Sequence, residues 1–280
     1  LFYNHSMKRV STITDLNKSL ADYRQLGKRI GFVPTMGALH QGHLSLLQTA
    51  RQHADVVVVS IFVNPTQFAE GEDLDTYPRD EEGDTQKLAE AGVDIVFMPK
   101  VEEIYPEEVA SDIELDSKAD ILCGMSRPHF FHGVATVVKR LLEMVKPDIA
   151  VFGEKDYQQL WLIRRMVSEL NLPVEIVGSP IIREKDGLAM SSRNQYLSKT
   201  DRALARELYN SLVSIKESIS PQDVVMGEWQ RLTALGFDVD YLEIRQEASL
   251  GPAHFPLKYP ARIFIAAKLG DTRLIDNMAV

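Results

Sequence analysis

Val56–Val63 (VVVVSIFV) interrupts its apolar, mostly β-branched run only at Ser60. A half-solvated strand alternates apolar and polar residues, whereas a strand covered on both faces does not have to. The run therefore predicts a strand inside a parallel sheet with helices on each side. Its neighbours have the same texture. Arg29–Val33, Val93–Met98, Ile149–Phe152 and Val174–Val177 are short apolar strand candidates. Between them lie helical patterns: Asp15–Leu26 on Leu16, Leu20, Tyr23 and Leu26; a segment from His43 to about His53; Asp80–Ala91; and the stripe Val134, Val137, Val138, Leu141, Leu142, Val145 ended by Pro147. This β-α-β-α-β rhythm predicts right-handed crossovers and an α/β, Rossmann-like parallel sheet. Asp112–Leu115 reads as an edge strand, and the rest of Val101–Ser126 has no clear pattern.

After Pro180 the texture changes, and Glu184-Lys185-Asp186-Gly187 is a polar turn suited to a domain boundary. Beyond it, Leu204, Leu208, Leu212, Ile215 and Ile219 predict one helix, and Val224–Leu235 a second ending at Gly236. Val239–Ile244, Arg262–Ala267 and Leu274–Asp276 read as strands. The expected organisation is a Rossmann-like domain over 7–183 and a smaller α+β domain over 184–280. Leu1–Ser6, ahead of Met7, are expected to be an expression remnant.

The chemistry concentrates in Phe32–His43, FVPTMGALHQGH, between the first of these strands and a helix start. Gly37 and Gly42 permit tight backbone paths. A helix N-terminus offers unpaired N–H groups and about half a positive charge, and His40 and His43 add two imidazoles. Phosphate binding, half of a metal site, and ordinary turn histidines all fit this stretch on its own. The pair His129 and His132 extends the metal alternative to four histidines, but no HExxH pattern accompanies them. Asn64 and Gln67 follow the Val56–Val63 strand, where α/β sheets bind ligands. Gly153-Glu154-Lys155-Asp156 repeats the pattern of strand, glycine and helix start. Lys155 is suited to phosphate as a point charge, and Asp156 to a helix cap or a ribose hydroxyl. Met190-Ser191-Ser192-Arg193 sets two hydroxyls beside a guanidinium, either an anion clamp or a helix cap. Tyr77, Arg79 and Arg127 are further pocket candidates. Walker A, GxGxxG and GxSxG signatures are absent.

Bulk properties narrow the classes. The net charge of −9 argues against general nucleic-acid binding, though not against an anionic small substrate. A single cysteine, Cys123, excludes an intramolecular disulfide and reads as a small buried apolar residue in a reducing compartment. No apolar stretch reaches membrane-spanning length. The expected setting is therefore cytoplasmic, with no membrane or nucleic-acid partner.

His40-Gln41-Gly42-His43 resembles the HxGH signature of nucleotidylyltransferases and class I aminoacyl-tRNA synthetases, and Met190–Arg193 resembles their second phosphate loop. PTMGALHQGH, VVVVSIFVNPTQF, GEKDYQQL and DGLAMSSRN together, in this order and spacing, resemble the pantothenate synthetase (pantoate–β-alanine ligase) family, as does LGDTRLIDN at Leu269–Asn277. The resemblance implies ATP and Mg²⁺, a pantoyl-adenylate intermediate formed from (R)-pantoate with loss of pyrophosphate, attack by β-alanine to give pantothenate and AMP, a homodimer, and a C-terminal lid. It implies ATP contacts from Pro34, Met36, Gly37, Ala38, Leu39, His40, Gln41, Gly42, His43, Gly153, Glu154, Lys155, Asp156, Ile182, Met190, Ser191, Ser192 and Arg193. His43 is the implied proton donor, with His40, Lys155, Ser191, Ser192 and Arg193 acting on the phosphates. Gln67 and Gln159 would orient pantoate, with Asn64 beside them and the β-alanine amine near Gln67. Two departures stand out. Thr66 occupies a position that is often Met, and Phe130 stands where a histidine is usual, so no role passes to Phe130, His129 or His132. The rival readings are an adenylyltransferase making a dinucleotide, and a nucleotide-binding module without catalysis.

Overall fold

The structure is a computed structural model that describes residues 7–69, 71–106 and 113–280. The chain separates into two compact units. One comprises residues up to Glu154 together with Gln159–Pro180; the other comprises Lys155–Gln158 together with Ile181–Val280.

The first unit contains β1 (Lys8–Val10), α1 (Ile13–Gln25), β2 (Ile30–Thr35), α2 (Gln41–His53), β3 (Val56–Ile61), α3 (Glu81–Glu90), β4 (Ile95–Phe97), α4 (Val101–Ile104), α5 (Cys123–Ser126), α6 (Phe130–Val145), β5 (Ile149–Gly153), α7 (Tyr157–Glu169) and β6 (Glu175–Ser179). Tyr157 and Gln158, the first residues of α7, count with the second unit. The six strands are all parallel, in the order β1-β4-β3-β2-β5-β6. Both faces are covered, as the uninterrupted Val56–Val59 run requires. Phe32, Val56, Val58 and Ala150 pack with Leu16 and Leu20 of α1, Val138 and Leu141 of α6, and Leu160 and Ile163 of α7. Val33, Val57, Val59 and Val151 pack with Leu46, Leu47 and Ala50 of α2 and Leu88 of α3. Neighbouring strand residues thus feed two separate cores. Strand order reverses between β2 and β5, and the carboxyl ends at such a switch point form the ligand crevice of open α/β sheets.

Some expectations are corrected. β3 stops at Ile61, because Phe62 makes the last bridge, to the Thr35 carbonyl, and Pro65 opens a 3₁₀ turn over Pro65–Gln67. Asp112 lies outside the described residues, as do Leu1–Ser6; Ile113–Leu115 form no strand. Residue 113 instead buries its side chain in the core. Cys123 is buried, as expected.

The second unit contains α8 (Lys199–Ala205), α9 (Glu207–Glu217), α10 (Pro221–Ala234) and an antiparallel sheet β7-β8-β9 (Asp238–Gln246, Ala261–Leu269, Thr272–Ala279). Its core joins Leu208, Leu212 and Ile215 of α9 and Leu232 of α10 to Ile263, Ile265 and Leu274. The single helix expected over Leu204–Ile219 is two helices. The chain breaks at Arg206, leaves helical geometry at Ser218, and Ile219 is fully exposed. Its apolar side chain belongs to the loop before Pro221, not to the stripe. The third strand extends well beyond Leu274–Asp276, because all of Thr272–Ala279 pairs with β8.

Candidate active site

In the first unit the candidate residues lie at the carboxyl ends of β2, β3 and β5. Pro34 is the penultimate residue of β2. The Thr35 hydroxyl ties the strand end to the Ser60 carbonyl of β3 at 2.8 Å and accepts the Gly37 amide at 3.3 Å. The backbone then takes left-handed geometry twice, at Gly37 (φ +83°) and Ala38 (φ +51°). A side chain at Gly37 would meet Asp84 and Ile61. What holds this turn is Asp84 on α3, which is 1% exposed. Its two carboxylate oxygens accept the Ala38 and Leu39 amides, each at 2.7 Å. Lys87, one turn on, donates to the Leu39 carbonyl at 2.9 Å.

α2 starts immediately after. His40 is its N-cap: the His40 Nδ1 accepts the Gly42 amide at 3.1 Å, and the His43 Nδ1 accepts the His40 amide at 3.3 Å. The two rings sit 4.1 Å apart. These are reciprocal capping bonds made by imidazoles. Because each Nδ1 is an acceptor, each neutral ring carries its proton on Nε2. The pair thus presents N–H donors at a helix end that favours anions. Gln41 between them is exposed, and Gly42 is half-buried.

Below this turn lies Asn64, 1% exposed. Its amide nitrogen donates to the Gln67 side-chain oxygen and to the Gly133 carbonyl, both at 3.1 Å. Its oxygen accepts from the Tyr105 hydroxyl at 2.9 Å and from the Thr66 hydroxyl at 3.0 Å. Both amide hydrogens are spent inside the protein, so Asn64 orients Gln67 rather than reaching outward. The Gln67 amide nitrogen lies 3.0 Å from the Met36 sulfur, which joins this loop to the phosphate turn. Thr66, one of the two departures, donates its hydroxyl to the Asn64 side-chain oxygen, which a thioether, lacking a donor, could not do. α6 approaches so closely that a Cβ on Gly133 would lie 2.3 Å from the Thr66 carbonyl. Gly153 closes β5 with Glu154 next in the chain, and Gln159 is half-buried in the first turn of α7.

The remaining candidates serve other contacts, although Arg127 reaches this loop and donates to the Gln67 carbonyl at 3.3 Å. Tyr77 is buried against Phe68, and Arg79 donates to carbonyls of its own loop. Arg127 grips both oxygens of Glu72 at 2.7 Å and stacks on Phe130 at 3.8 Å. His129 and His132 face each other at 6.5 Å, remote in sequence and in element from the α2 pair, and among the described residues no group of three or more His, Cys, Asp or Glu is arranged to hold a metal. Phe130 fills the cation–π contact with Arg127, a structural part.

The second unit carries the other phosphate candidates. Lys155 and Asp156 end a short 3₁₀ turn over Glu154–Asp156, with the ammonium 3.8 Å from the Asp156 carboxylate. Ile181–Met190 is a hairpin: the Ile182 carbonyl accepts the Met190 amide at 3.0 Å, Arg183 bridges Ala189, and Glu184–Gly187 make the turn. Gly187 (φ +91°) lies under the Tyr209 ring, where a Cβ would collide at 2.1 Å. Ser191 caps a 3₁₀ turn over Ser192–Tyr196 by accepting the Arg193 amide at 3.3 Å, so the capping reading of this loop holds for Ser191 itself. Arg183 binds Asp276 with both arms, at 2.6 and 2.9 Å. Burial pushes the Asp276 carboxyl above its ordinary range while Arg183 pulls against it.

Asp84, Tyr105, Gly133, Asp276 and Asn277 escape sequence reading as site-shaping residues. For Asp84 a signal exists: it precedes Leu88 by one turn, on the apolar face of an otherwise polar helix.

A family profile described as pantoate-beta-alanine ligase matches residues 8–279. A pantothenate synthetase of Pseudomonas fluorescens (strain Pf0-1) is 50% identical over 279 residues, covering 97% of both chains. The crystal structure of pantothenate synthetase from Thermus thermophilus superimposes with a TM-score of 0.88 at 45% identity, covering 97% of this chain and 99% of that one. The Francisella tularensis pantoate-beta-alanine ligase, solved with beta-gamma ATP and beta-alanine, gives 0.82 at 36% identity, covering 97% of each chain. These matches and the motif-bearing turns agree over the whole length: the chain belongs to the pantoate–β-alanine ligase family.

Proposed function

We propose that this protein condenses (R)-pantoate with β-alanine at the expense of ATP. In the first step the pantoate carboxylate attacks the α-phosphorus and expels pyrophosphate, leaving pantoyl adenylate. In the second the β-alanine amine attacks the acyl carbon and expels AMP, giving pantothenate. The family match over residues 8–279 carries this reading. It is supported by a relative of similar fold solved with beta-gamma ATP and beta-alanine.

The chemistry asks for charge stabilisation, because a carboxylate is a weak nucleophile and the expelled group is highly anionic. His40 and His43 supply Nε2–H donors aimed by their capped Nδ1 atoms. In this reading they stabilise the phosphate oxygens, and His43 is the proton donor. Pro34, Met36 and the Gly37–Leu39 turn shape the nucleotide pocket, with Gln41 and Gly42 at its helix end and Gly153 and Glu154 at β5. Lys155, Ser191, Ser192 and Arg193 take the β- and γ-phosphates, Asp156 the ribose, and Ile182 and Met190 the base side. Gln67, oriented by Asn64, and Gln159 hold pantoate in line with the α-phosphorus. Mg²⁺ would enter with the triphosphate. When bound, it neutralises phosphate charge. Among the described residues no helix is long and apolar enough to cross a membrane. We place the enzyme in the cytoplasm as a homodimer with small-molecule substrates.

The test is pyrophosphate release from Mg-ATP with (R)-pantoate, with and without β-alanine. The expected result is release that needs pantoate and continues through many turnovers only when β-alanine is added. Release indifferent to pantoate, or a stable dinucleotide formed with a phosphorylated acceptor, would overturn the substrate assignment.

A further inference from the structure

The consecutive residues Asp276 and Asn277 in β9 are 4% and 2% exposed. Side chains of successive strand residues leave opposite faces, so a strand bordering a core normally buries one of such a pair. Here both are polar and both are buried, and each is tied to a segment that carries nucleotide candidates. The Asn277 amide nitrogen donates to the Lys155 carbonyl at 2.8 Å. Its side-chain oxygen accepts from Arg262 at 2.6 Å. Arg262, 8% exposed, lies over the Tyr157 ring at 4.1 Å and is held from behind by Glu247 at 2.9 Å. The segment 155–158 is thus gripped twice, at the Lys155 carbonyl and at the Tyr157 ring. Asp276 accepts the Asn277 amide at 2.7 Å and both arms of Arg183. Arg183 also donates to the Asn277 and Gly187 carbonyls, which fixes the hairpin leading into Met190–Arg193.

We propose that Asn277, seated by Asp276, Arg183 and Arg262, is a positioning residue that sets where the Lys155 ammonium meets the phosphates. The proposal rests on the reading that Lys155 acts on the phosphates. A lysine side chain is a flexible four-carbon stem, so its head is placed only as well as its backbone is anchored. Displacement of a catalytic group by about 1 Å costs on the order of 10²-fold in rate. Burying this many polar groups is a weak route to stability, since apolar residues of similar volume serve as well or better. Directional placement is what the network adds.

Asn277→Asp keeps size and the Arg262 acceptor but turns a lone pair toward the Lys155 carbonyl. Pantoate-dependent pyrophosphate release is expected to slow by about 10- to 100-fold, in kcat more than in the pantoate KM. Conversion of supplied pantoyl adenylate by β-alanine, which involves no pyrophosphate, stays within about twofold. A merely structural role predicts that both half-reactions fall together with the melting temperature, and that result overturns the proposal. Lys155→Ala is measured alongside. If it slows adenylation while Asn277→Asp does not, the positioning proposal fails; if it leaves adenylation intact, the Lys155 reading fails instead. In the double variant, Asn277→Asp adds less than twofold to Lys155→Ala; full additivity refutes the coupling. Should Asn277→Asp not fold, Arg262→Lys retains the charge opposite Glu247, loses the stacked fork, and is held to the same outcomes.

Discussion

Asp84→Asn separates the phosphate turn from its anchor without changing side-chain volume. The native carboxylate accepts two backbone amides at 2.7 Å from a site 1% exposed. Hydrogen bonds to charged groups contribute about 1.5–3 kcal/mol each, and a buried donor left unsatisfied costs about 1–3 kcal/mol. An asparagine oxygen still takes one amide, while its NH₂ faces the other. One charged bond becomes neutral and one amide loses its acceptor. Lys87, 3.7 Å away and partly exposed, loses an ion pair of small value. The expected loss is about 2–4 kcal/mol, or about 5–15 °C in Tm for a unit of this size. The left-handed Ala38 then has less to hold it, so the KM for ATP rises as stability falls. Urea unfolding and initial-rate kinetics on the same preparations read both quantities. Glu82→Gln, the same charge change at an exposed position of α3, is the control and stays within about 0.5 kcal/mol. If Asp84→Asn matches that control with an unchanged ATP KM, the turn does not depend on this carboxylate.

Three further outcomes follow from particular contacts. Gly133→Ala places a methyl 2.3 Å from the Thr66 carbonyl and 2.8 Å from the Gln67 amide, neither of which swings aside as a side-chain end does. It should cost about 1–3 kcal/mol and raise the pantoate KM more than the ATP KM; wild-type values for both would show that the loop yields. Gln67→Ala weakens pantoate more than ATP, and an unchanged pantoate KM and kcat removes Gln67 from the site. In the second unit, burial pushes Glu228 up, but hydrogen bonds from Arg231, Ser214 and Ser211 outweigh it and hold the carboxyl below its ordinary 4.5. A depressed folded pKa stabilises above the unfolded value and loses that contribution as pH falls through the folded one. Stability should therefore decline as pH drops below about 4.5 in the native protein, and less steeply in Glu228→Gln, which is less stable at neutral pH. Parallel pH profiles for the two proteins would dismiss the contribution.

Much of the molecule is written in short-range pattern. The unbroken apolar run of β3, the 3.6-residue stripes of α1 and α6, and the strand–turn–helix around His40 and His43 are local signals, because the period of burial is a property of the element itself. The motif blocks are local too, and from them the family and the candidate residues followed. Where local signals compete, reading fails: the stripe Leu204–Ile219 keeps helical spacing across the break at Arg206, and Ile219 fits the pattern while facing solvent. The two histidines were legible as a pair, yet their tautomer depends on which backbone amide each Nδ1 meets. The strand order β1-β4-β3-β2-β5-β6, which puts the switch point beside Pro34 and Gly153, is a long-range pairing. So are the bonds of Asp84 to Ala38 and Leu39, of Asn64 to Gly133, and of Asn277 to Lys155, across 46, 45, 69 and 122 residues respectively. A buried polar side chain is stable only against its partner, and no periodicity along the chain encodes which distant backbone group that partner will be.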